Sequence, residues 1–430
     1  MAKTLKTSLL ILLFSFLKAE AQPETFDARI RSLISQMTID DKIDQLTIYN
    51  KGIPRLGIPQ YDWQAECLHG LADDSVTVFP SPIGLAATWN PALLFDIAVA
   101  ASDEGRVRFK QKGTGLCYWA PNLEIARDPR WGRVQETYGE DPYLVSRLGV
   151  AYVTGLQGDD PIYWKTVASP KHFFAHSGPE PKRYIFNSVV NERDMWESYL
   201  PAWKVIFTEG KAHGVMMAYG AVNRIPNSVN TYFITDVIRK KWGFEGYVVS
   251  DCGAIVFVVW GLGSAKSEPD AAAKALRAGS DLECGIMYTD HMLDALNEGL
   301  ITEAEIDSAV YRLLWVRFKL GLFDSSDLVK YNKIPFSRLN SRENIDIAWK
   351  AAQQSIVMLK NDKNTLPFRK DYDSILVIGP RATGENYGAY TGISTYHISA
   401  LDGIKKKVSS KTKVNRSEER RVGKECRSRW

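Results

Sequence analysis

The chain predicts an α/β fold, a (β/α)8 TIM-type barrel that gives way to the start of a second α/β domain. Three observations carry this. Strand-like and helix-like stretches alternate over roughly three hundred residues, as in a parallel sheet covered by helices. The strand stretches are short continuous apolar runs such as Tyr247-Val248-Val249, which suit strands buried on both faces. The polar clusters fall just after these runs, where a barrel presents its carboxyl-end loops. An open doubly wound sheet is the alternative. No Gly-rich phosphate turn follows an early strand, which counts against it.

Taken in order, Asp27 to Thr47 has helical periodicity through Ile30, Leu33, Ile34 and Met37, with a break at Thr38–Asp41 before Ile43 and Leu46. Asn90-Pro91 opens a helix reaching Lys112, with Asn90 as cap and Pro91 in the first turn. Strands follow at Gly115–Ala120 and Val167–Phe173. Glu192 to Glu209 reads as one long helix with Trp196, Leu200, Trp203 and Ile206 on its buried face. A strand at Val215–Ala218, a helix at Thr235–Trp242 and the strand before Asp251 continue the alternation. Then come a helix at Asp270–Ala278, a short strand end at Ser280–Cys284, and helices at Asp290–Glu298 and Thr302–Leu320. From Asp324 to Ser341 the pattern lapses into a polar linker. Arg342 to Leu359 is helical with Ala348, Ala351, Ala352 and Ile356 inward, and Ser374–Ile378 is a strand. The expected divisions are therefore 27–323 for the barrel, 324–341 for the linker and 342–415 for an incomplete second domain. The basic stretch 416–430 has no apolar periodicity and reads as a non-native tail.

Composition narrows the function. The 430 residues are 45% hydrophobic and carry a net charge of +4, part of it from the tail. No long basic stripe appears elsewhere, so nucleic acid is not an expected partner. Lys3 and Lys6, an apolar run from Ser8 to Leu17, and Ala19-Glu20-Ala21 form a secretory signal over residues 1–21. That run is too short to span a bilayer. The expectation is an exported protein, periplasmic or extracellular, with no membrane attachment after signal removal. Cys67, Cys117, Cys252, Cys284 and Cys426 show no C-x-x-C spacing, so neither a zinc site nor a redox motif is supported. Buried free thiols are the preferred reading; a disulfide is allowed, but its pairing is not set by sequence.

Five polar clusters sit at strand ends or in the loops after them. They are Tyr61–Gly70, Ala126–Arg133 with Glu136–Pro142, Lys171–Pro179, Met216–Tyr219, and GFEGYVVSDCG over Gly243–Gly253. A carboxylate just past a strand, as Asp251 is, can accept a proton, bind a metal or attack an electrophilic carbon. Its plain alternative is a cap on the next helix. Together the clusters resemble glycoside hydrolase family 3 over nearly the whole chain, with GFEGYVVSDCG and ARDPRWGR as the specific strings. Glu66 in ECLHG, with KHFFAHSGP, resembles the β-xylosidase branch most closely.

The resemblance implies a barrel followed by an α/β sandwich, and a retaining exo-acting β-glycosidase that takes short β-linked oligosaccharides, releasing xylose ahead of glucose. Such chemistry needs a carboxylate nucleophile and a second group that protonates the leaving oxygen. By resemblance Asp251 is the nucleophile. Arg127, Lys171 and His172 would hold its pKa down and grip sugar hydroxyls, and Tyr219 would orient it. Glu66 would accept hydrogen bonds from two ring hydroxyls, its length leaving less room for a C6 hydroxymethyl group. No metal or organic cofactor is implied. The family's acid/base is a Glu in the second domain, beyond this chain's last residue, and the only stand-in is His176, which lacks the Asp-x-His continuation of the His-loop branch. Tyr184 stands where a His is common, and Val256–Trp260 is apolar where relatives are polar. A non-catalytic carbohydrate-binding barrel and a β-N-acetylhexosaminidase are the alternatives. Arg130 and Arg133 read as structural partners of Glu136, Glu140 or Asp141, His69 and His176 as structural histidines, and Trp63, Trp119 and Trp131 as core at least as readily as sugar platforms.

Overall fold

The computed structural model describes residues 25–384 and 386–417. The signal segment and residues 418–430 of the tail lie outside the described residues. Gly214–Met217 and Tyr247–Ser250 pair in parallel, Val215 opposite Val248, and every residue of both strands is buried. That double-sided burial explains their unbroken apolar character. Cys117–Tyr118 pairs in parallel with Val167–Ala168, and the Met216 N–H donates to the Pro170 carbonyl at 3.0 Å, joining the two pairs. On the far side Val249 bridges Leu282, and the Glu283 N–H donates to the Leu46 carbonyl at 2.9 Å. Tyr49–Asn50 pairs antiparallel with Tyr61–Asp62, and Ala65 bridges Tyr118. Short pairings thus lead from segment to segment around the barrel and back to the first.

The helices follow their capping chemistry. Asn90 accepts from the Leu93 N–H at 3.1 Å and opens Pro91–Lys112. Thr38 and Asp41 form a capping box that separates Phe26–Ile34 from Ile39–Gln45, as the sequence break indicated. Thr302 and Glu305 do the same for Glu303–Lys319. The helix expected over Glu192–Glu209 is interrupted. A π-turn at Met195–Tyr199 precedes Pro201–Thr208, because Pro201 offers no N–H to the preceding turn and its ring crowds the carbonyl four residues back. Pro142–Gln157 is a further helix, packed on Pro91–Lys112. The two approach closely at Gly155, where a Cβ would lie 2.6 Å from the Phe95 carbonyl oxygen.

The C-terminal segment corrects two expectations. Its first helix is Arg342–Gln354, capped at Ser355, and of the four residues expected inward only Ala351 is fully buried; Ile356, past the helix end, is 79% exposed. One face of the helix meets Pro91–Lys112, and the stretch after it has no apolar cover among the described residues. Ser374–Ile378 is a strand as expected, paired in parallel with Lys413–Ser417. Arg416 and Ser417, assigned to the tail by composition, are therefore part of a strand.

Candidate active site

Each polar cluster reaches the same end of the barrel because the strands are parallel. Asp251 follows Tyr247–Ser250 and is tied back by its N–H to the Met217 carbonyl at 3.0 Å. Lys171 and His172 lie beside Pro121–Asn122: the Lys171 N–H donates to the Pro121 carbonyl and the Leu123 N–H to the Lys171 carbonyl. The Lys171–His172 peptide bond is cis. The result is a contiguous charged cluster. Lys171 Nζ donates to both Glu66 oxygens at 2.7 and 2.9 Å, and His172 Nε2 lies 3.6 Å from Asp251 Oδ2. The Cys252 N–H donates to Asp251 Oδ1 at 2.8 Å. Asp251 Oδ2 is buried with no hydrogen-bond partner among the described residues. The Tyr219 hydroxyl donates to the Cys252 carbonyl at 2.8 Å, so it braces the turn after the carboxylate.

The electrostatics correct the sequence assignment of cations. Burial pushes the Asp251 carboxyl above its usual range, and Arg133 is the first charge opposing this, ahead of Lys171. His172 does not assist as a cation: burial, then Arg133, push its imidazole well below the ordinary histidine range, leaving it neutral. Arg127 is exposed, its guanidinium stacks 4.9 Å from the Tyr199 ring, and it lines a cavity of about 550 Å³ with Ser177, Phe186 and Tyr199. Arg133 takes the place assigned to it. That residue is 5% exposed and makes a bidentate pair with Glu136 at 2.9 and 2.6 Å. The pairing with Glu136 was expected; the reach to Asp251 was not. Arg130 pairs instead with Asp128 beside it.

Other residues were missed altogether. Glu124, 3% exposed, meets His172 Nδ1 at 3.0 Å. Tyr390, from the C-terminal segment, covers Lys171 with its ring centroid 4.1 Å from Nζ and 5.7 Å from the Arg133 guanidinium. Glu124 had a sequence signal, a lone acid between Leu123 and Ile125 at a strand end; Tyr390 had none. Trp63, Trp119 and Trp131 are buried in the core. Both His69 ring nitrogens meet backbone carbonyls, of Phe79 and Ala389. Tyr184 stacks on Phe257 at 4.9 Å and edges onto Tyr219 at 4.8 Å. The two sequence departures thus meet as one aromatic wall beside the site. His176 Nε2 is buried without a hydrogen-bond partner among the described residues, and burial brings its imidazole down to about 3. Glu124, His172 and His176 present possible metal-ligand atoms within 4.8 Å of one another, but His172 Nδ1 is engaged by Glu124.

The cysteines depart from expectation. Cys252 and Cys284 form a disulfide, their Cα atoms 4.4 Å apart, while Cys67 and Cys117 are buried free thiols. The bond ties the turn after Asp251 to the next barrel segment.

The buried carboxylate, the Lys–carboxylate pair and the neutral histidine all lie at the carboxyl end of the barrel, the face where enzymes of this architecture place their active sites. The chain belongs to glycoside hydrolase family 3. Residues 30–316 match the glycosyl hydrolase family 3 N-terminal domain and residues 356–425 its C-terminal domain. The chain is 41% identical over 395 residues to a xylan 1,4-β-xylosidase of Xylanibacter ruminicola, covering 88% of this chain and 46% of that protein. It is 37% identical to a β-xylosidase/α-L-arabinofuranosidase of Medicago sativa, covering 88% and 52%. Among solved structures it resembles a GH3 exo-β-xylosidase in complex with a xylobiose aziridine probe, at 33% identity and a TM-score of 0.87, covering 93% and 53%. It also resembles the β-glucosidase of Listeria innocua in complex with glucose, at 27% identity and 0.80, covering 93% and 61%. The chain spans about half the length of the curated relatives it matches.

Proposed function

We propose that this chain carries the nucleophile half of an exported, retaining, exo-acting β-glycosidase that releases xylose, and less readily glucose, from short β-linked oligosaccharides. The observation that carries the reading is Asp251 Oδ2: buried, without a hydrogen-bond partner among the described residues, and 3.6 Å from His172. An oxygen already saturated with hydrogen bonds is a poor nucleophile, and this one is free to bond to an anomeric carbon. In the proposed reaction Asp251 attacks that carbon, the leaving oxygen departs with a proton, and water later releases the sugar from the carboxylate with retention. Glu66, pinned by Lys171, is the hydroxyl acceptor, and Arg133 and Lys171 favour the ionised nucleophile. Support for xylose comes from Glu66 itself and from the named activities of the relatives.

His176 is a poor candidate for the acid, because an imidazole lowered to about 3 carries no spare proton at neutral pH. This weighs against the β-N-acetylhexosaminidase alternative as well. The general acid is proposed to come from residues following this stretch in a longer protein. The divisions at 27–323 and 324–341, a second domain from 342 that reaches at least Ser417, and the export signal stand as part of the same proposal. Incubation with a 2-deoxy-2-fluoro-β-xyloside carrying an activated aryl leaving group tests it, since such a group needs little protonation. The expected result is a covalent sugar on the peptide containing Asp251. An unlabelled Asp251 peptide with intact sugar binding would instead identify a non-catalytic sugar-binding barrel. Faster trapping by the 2-fluoro-glucoside would refute the preference for xylose.

A further inference from the structure

We propose that Glu124 is a positioning residue for the nucleophile, holding the His172 ring through Nδ1 in the tautomer whose Nε2–H faces Asp251. This rests on the reading of Asp251 as nucleophile. The geometry is a line of three buried groups: Glu124 Oε2, 3.0 Å from His172 Nδ1, and His172 Nε2, 3.6 Å from Asp251 Oδ2. The second distance is an electrostatic contact rather than a hydrogen bond.

Proton counting selects the tautomer. A neutral imidazole has one N–H and one lone pair. Here each nitrogen faces a carboxyl group, so with both carboxyls ionised one lone pair would point at a negative oxygen. The line needs one further proton, and the two acids compete for it. Asp251 receives the Cys252 N–H and the fields of Arg133 and Lys171, all favouring its ionised form. Glu124 is the more enclosed acid; burial drives its carboxyl well above the ordinary range, and the charges of Glu136 and Asp251 push the same way, outweighing Arg133 and the His176 backbone N–H. Its other oxygen, Oε1, has no hydrogen-bond partner among the described residues, a position that an ionised oxygen would tolerate badly. Glu124 therefore holds the proton and donates it to Nδ1, which leaves the Nε2–H to face Asp251. The remaining charged and titratable groups acting on the ring, Arg133, His176, Lys171 and Arg183, all oppose a second proton on it. The backbone positions the acid: Leu123 and Lys171 are hydrogen-bonded across adjacent segments, so the residues after them, Glu124 and His172, lie side by side.

The test is ¹⁵N-histidine NMR of the full chain at neutral pH, with the His172 signal assigned by its loss in H172N among six histidines. The expected result is the Nε2–H tautomer in the wild type and in E124Q, whose amide N–H donates to Nδ1 as the acid does. In E124A the tautomer should change or mix. Trapping by the 2-fluoro-xyloside should slow about 10–100-fold in E124A, the size of loss that follows when the carboxylate partner of a metal-bound histidine is removed, and E124Q should recover most of that loss. An Nδ1–H tautomer or an imidazolium in the wild type overturns the proposal, as does an E124A variant with unchanged tautomer and rate. Should E124A not fold, the wild-type and E124Q spectra decide alone. If the wild type takes up no fluoro-sugar, the nucleophile reading fails, and the spectrum still reports what Glu124 does to His172.

Discussion

Glu283→Gln should make the protein markedly less sensitive to alkaline pH. Glu283 is fully buried at the barrel segment that pairs with Leu46–Thr47, and one carboxyl oxygen accepts from the N–H of Tyr288 in the first turn of Met287–Asn297. Burial outweighs these N–H donors and raises its carboxyl from 4.5 to about 7. Below 4.5 both folded and unfolded chains hold the proton. Between 4.5 and about 7 only the folded chain does, so stability falls as pH rises; above about 7 the full penalty is in place. At ~1.4 kcal/mol per pKa unit that penalty is about 3.5 kcal/mol, of which some 2–3 kcal/mol develops between pH 5 and 8. Glutamine keeps the acceptor oxygen and cannot ionise. Its amide nitrogen inherits the unpartnered position of Glu283 Oε1, at a cost of roughly 1–3 kcal/mol that does not vary with pH. The readout is therefore the difference between pH values. Urea unfolding of wild type and E283Q at pH 5 and pH 8 should show the variant losing about 2–3 kcal/mol less over that interval. Parallel stability profiles would refute the reasoning.

Three further outcomes are expected. Removing the Cys252–Cys284 bond, as the double serine variant, should cost about 3–4 kcal/mol on chain-entropy grounds for a separation of 32 residues, read as a lower urea midpoint; an unchanged midpoint would count against it. Arg133→Met should leave Glu136 charged, buried and unpaired, and lower stability by about 3–5 kcal/mol. Because the same guanidinium opposes the raised carboxyl of Asp251, the acid limb of fluoro-sugar trapping should lie above pH 3.8 in the wild type and move higher still in R133M; a limb that stays put would remove Arg133 from the site. Gly155→Ala should cost about 1–3 kcal/mol in thermal or urea unfolding, since its Cβ would press on the Phe95 backbone, which cannot step aside.

Much of this architecture is legible in the chain because local chemistry and long-range structure agree. Asn90, Thr38 and Thr302 mark helix starts wherever they occur, and the apolar run before Asp251 declares a strand buried on both sides. What the chain hides is depth. Arg127, Arg130 and Arg133 lie within one short motif, yet one stacks on a tyrosine at the surface, one pairs locally and one is buried and acts on Asp251. Nothing in their neighbours' identities sorts them, because the sorting is done by the Trp131 anchor and by segments far away in sequence. The pairing of Cys252 with Cys284 is a similar case, decided by the adjacency of two barrel segments. The interruption of the helix over Glu192–Glu209 is a different case: Pro201 marks it in the sequence, but the apolar periodicity runs on across it through Trp196, Leu200, Trp203 and Ile206.

The ring of Tyr390 resting on Lys171 has a consequence for how the molecule comes together. The same stretch is fastened to the barrel by the Ala389 carbonyl at His69 and by the pairing of Ile393 with Asp74. Tyr390 thus covers residues that lie more than two hundred positions before it in the chain, Lys171 and Arg133. A ligand gripped by Lys171 and Glu66 would hold that stretch down, and docking of the stretch would tighten the grip in return, by the reciprocity that any such linkage obeys. Seating the later segment on the barrel and covering Lys171 are therefore one packing event.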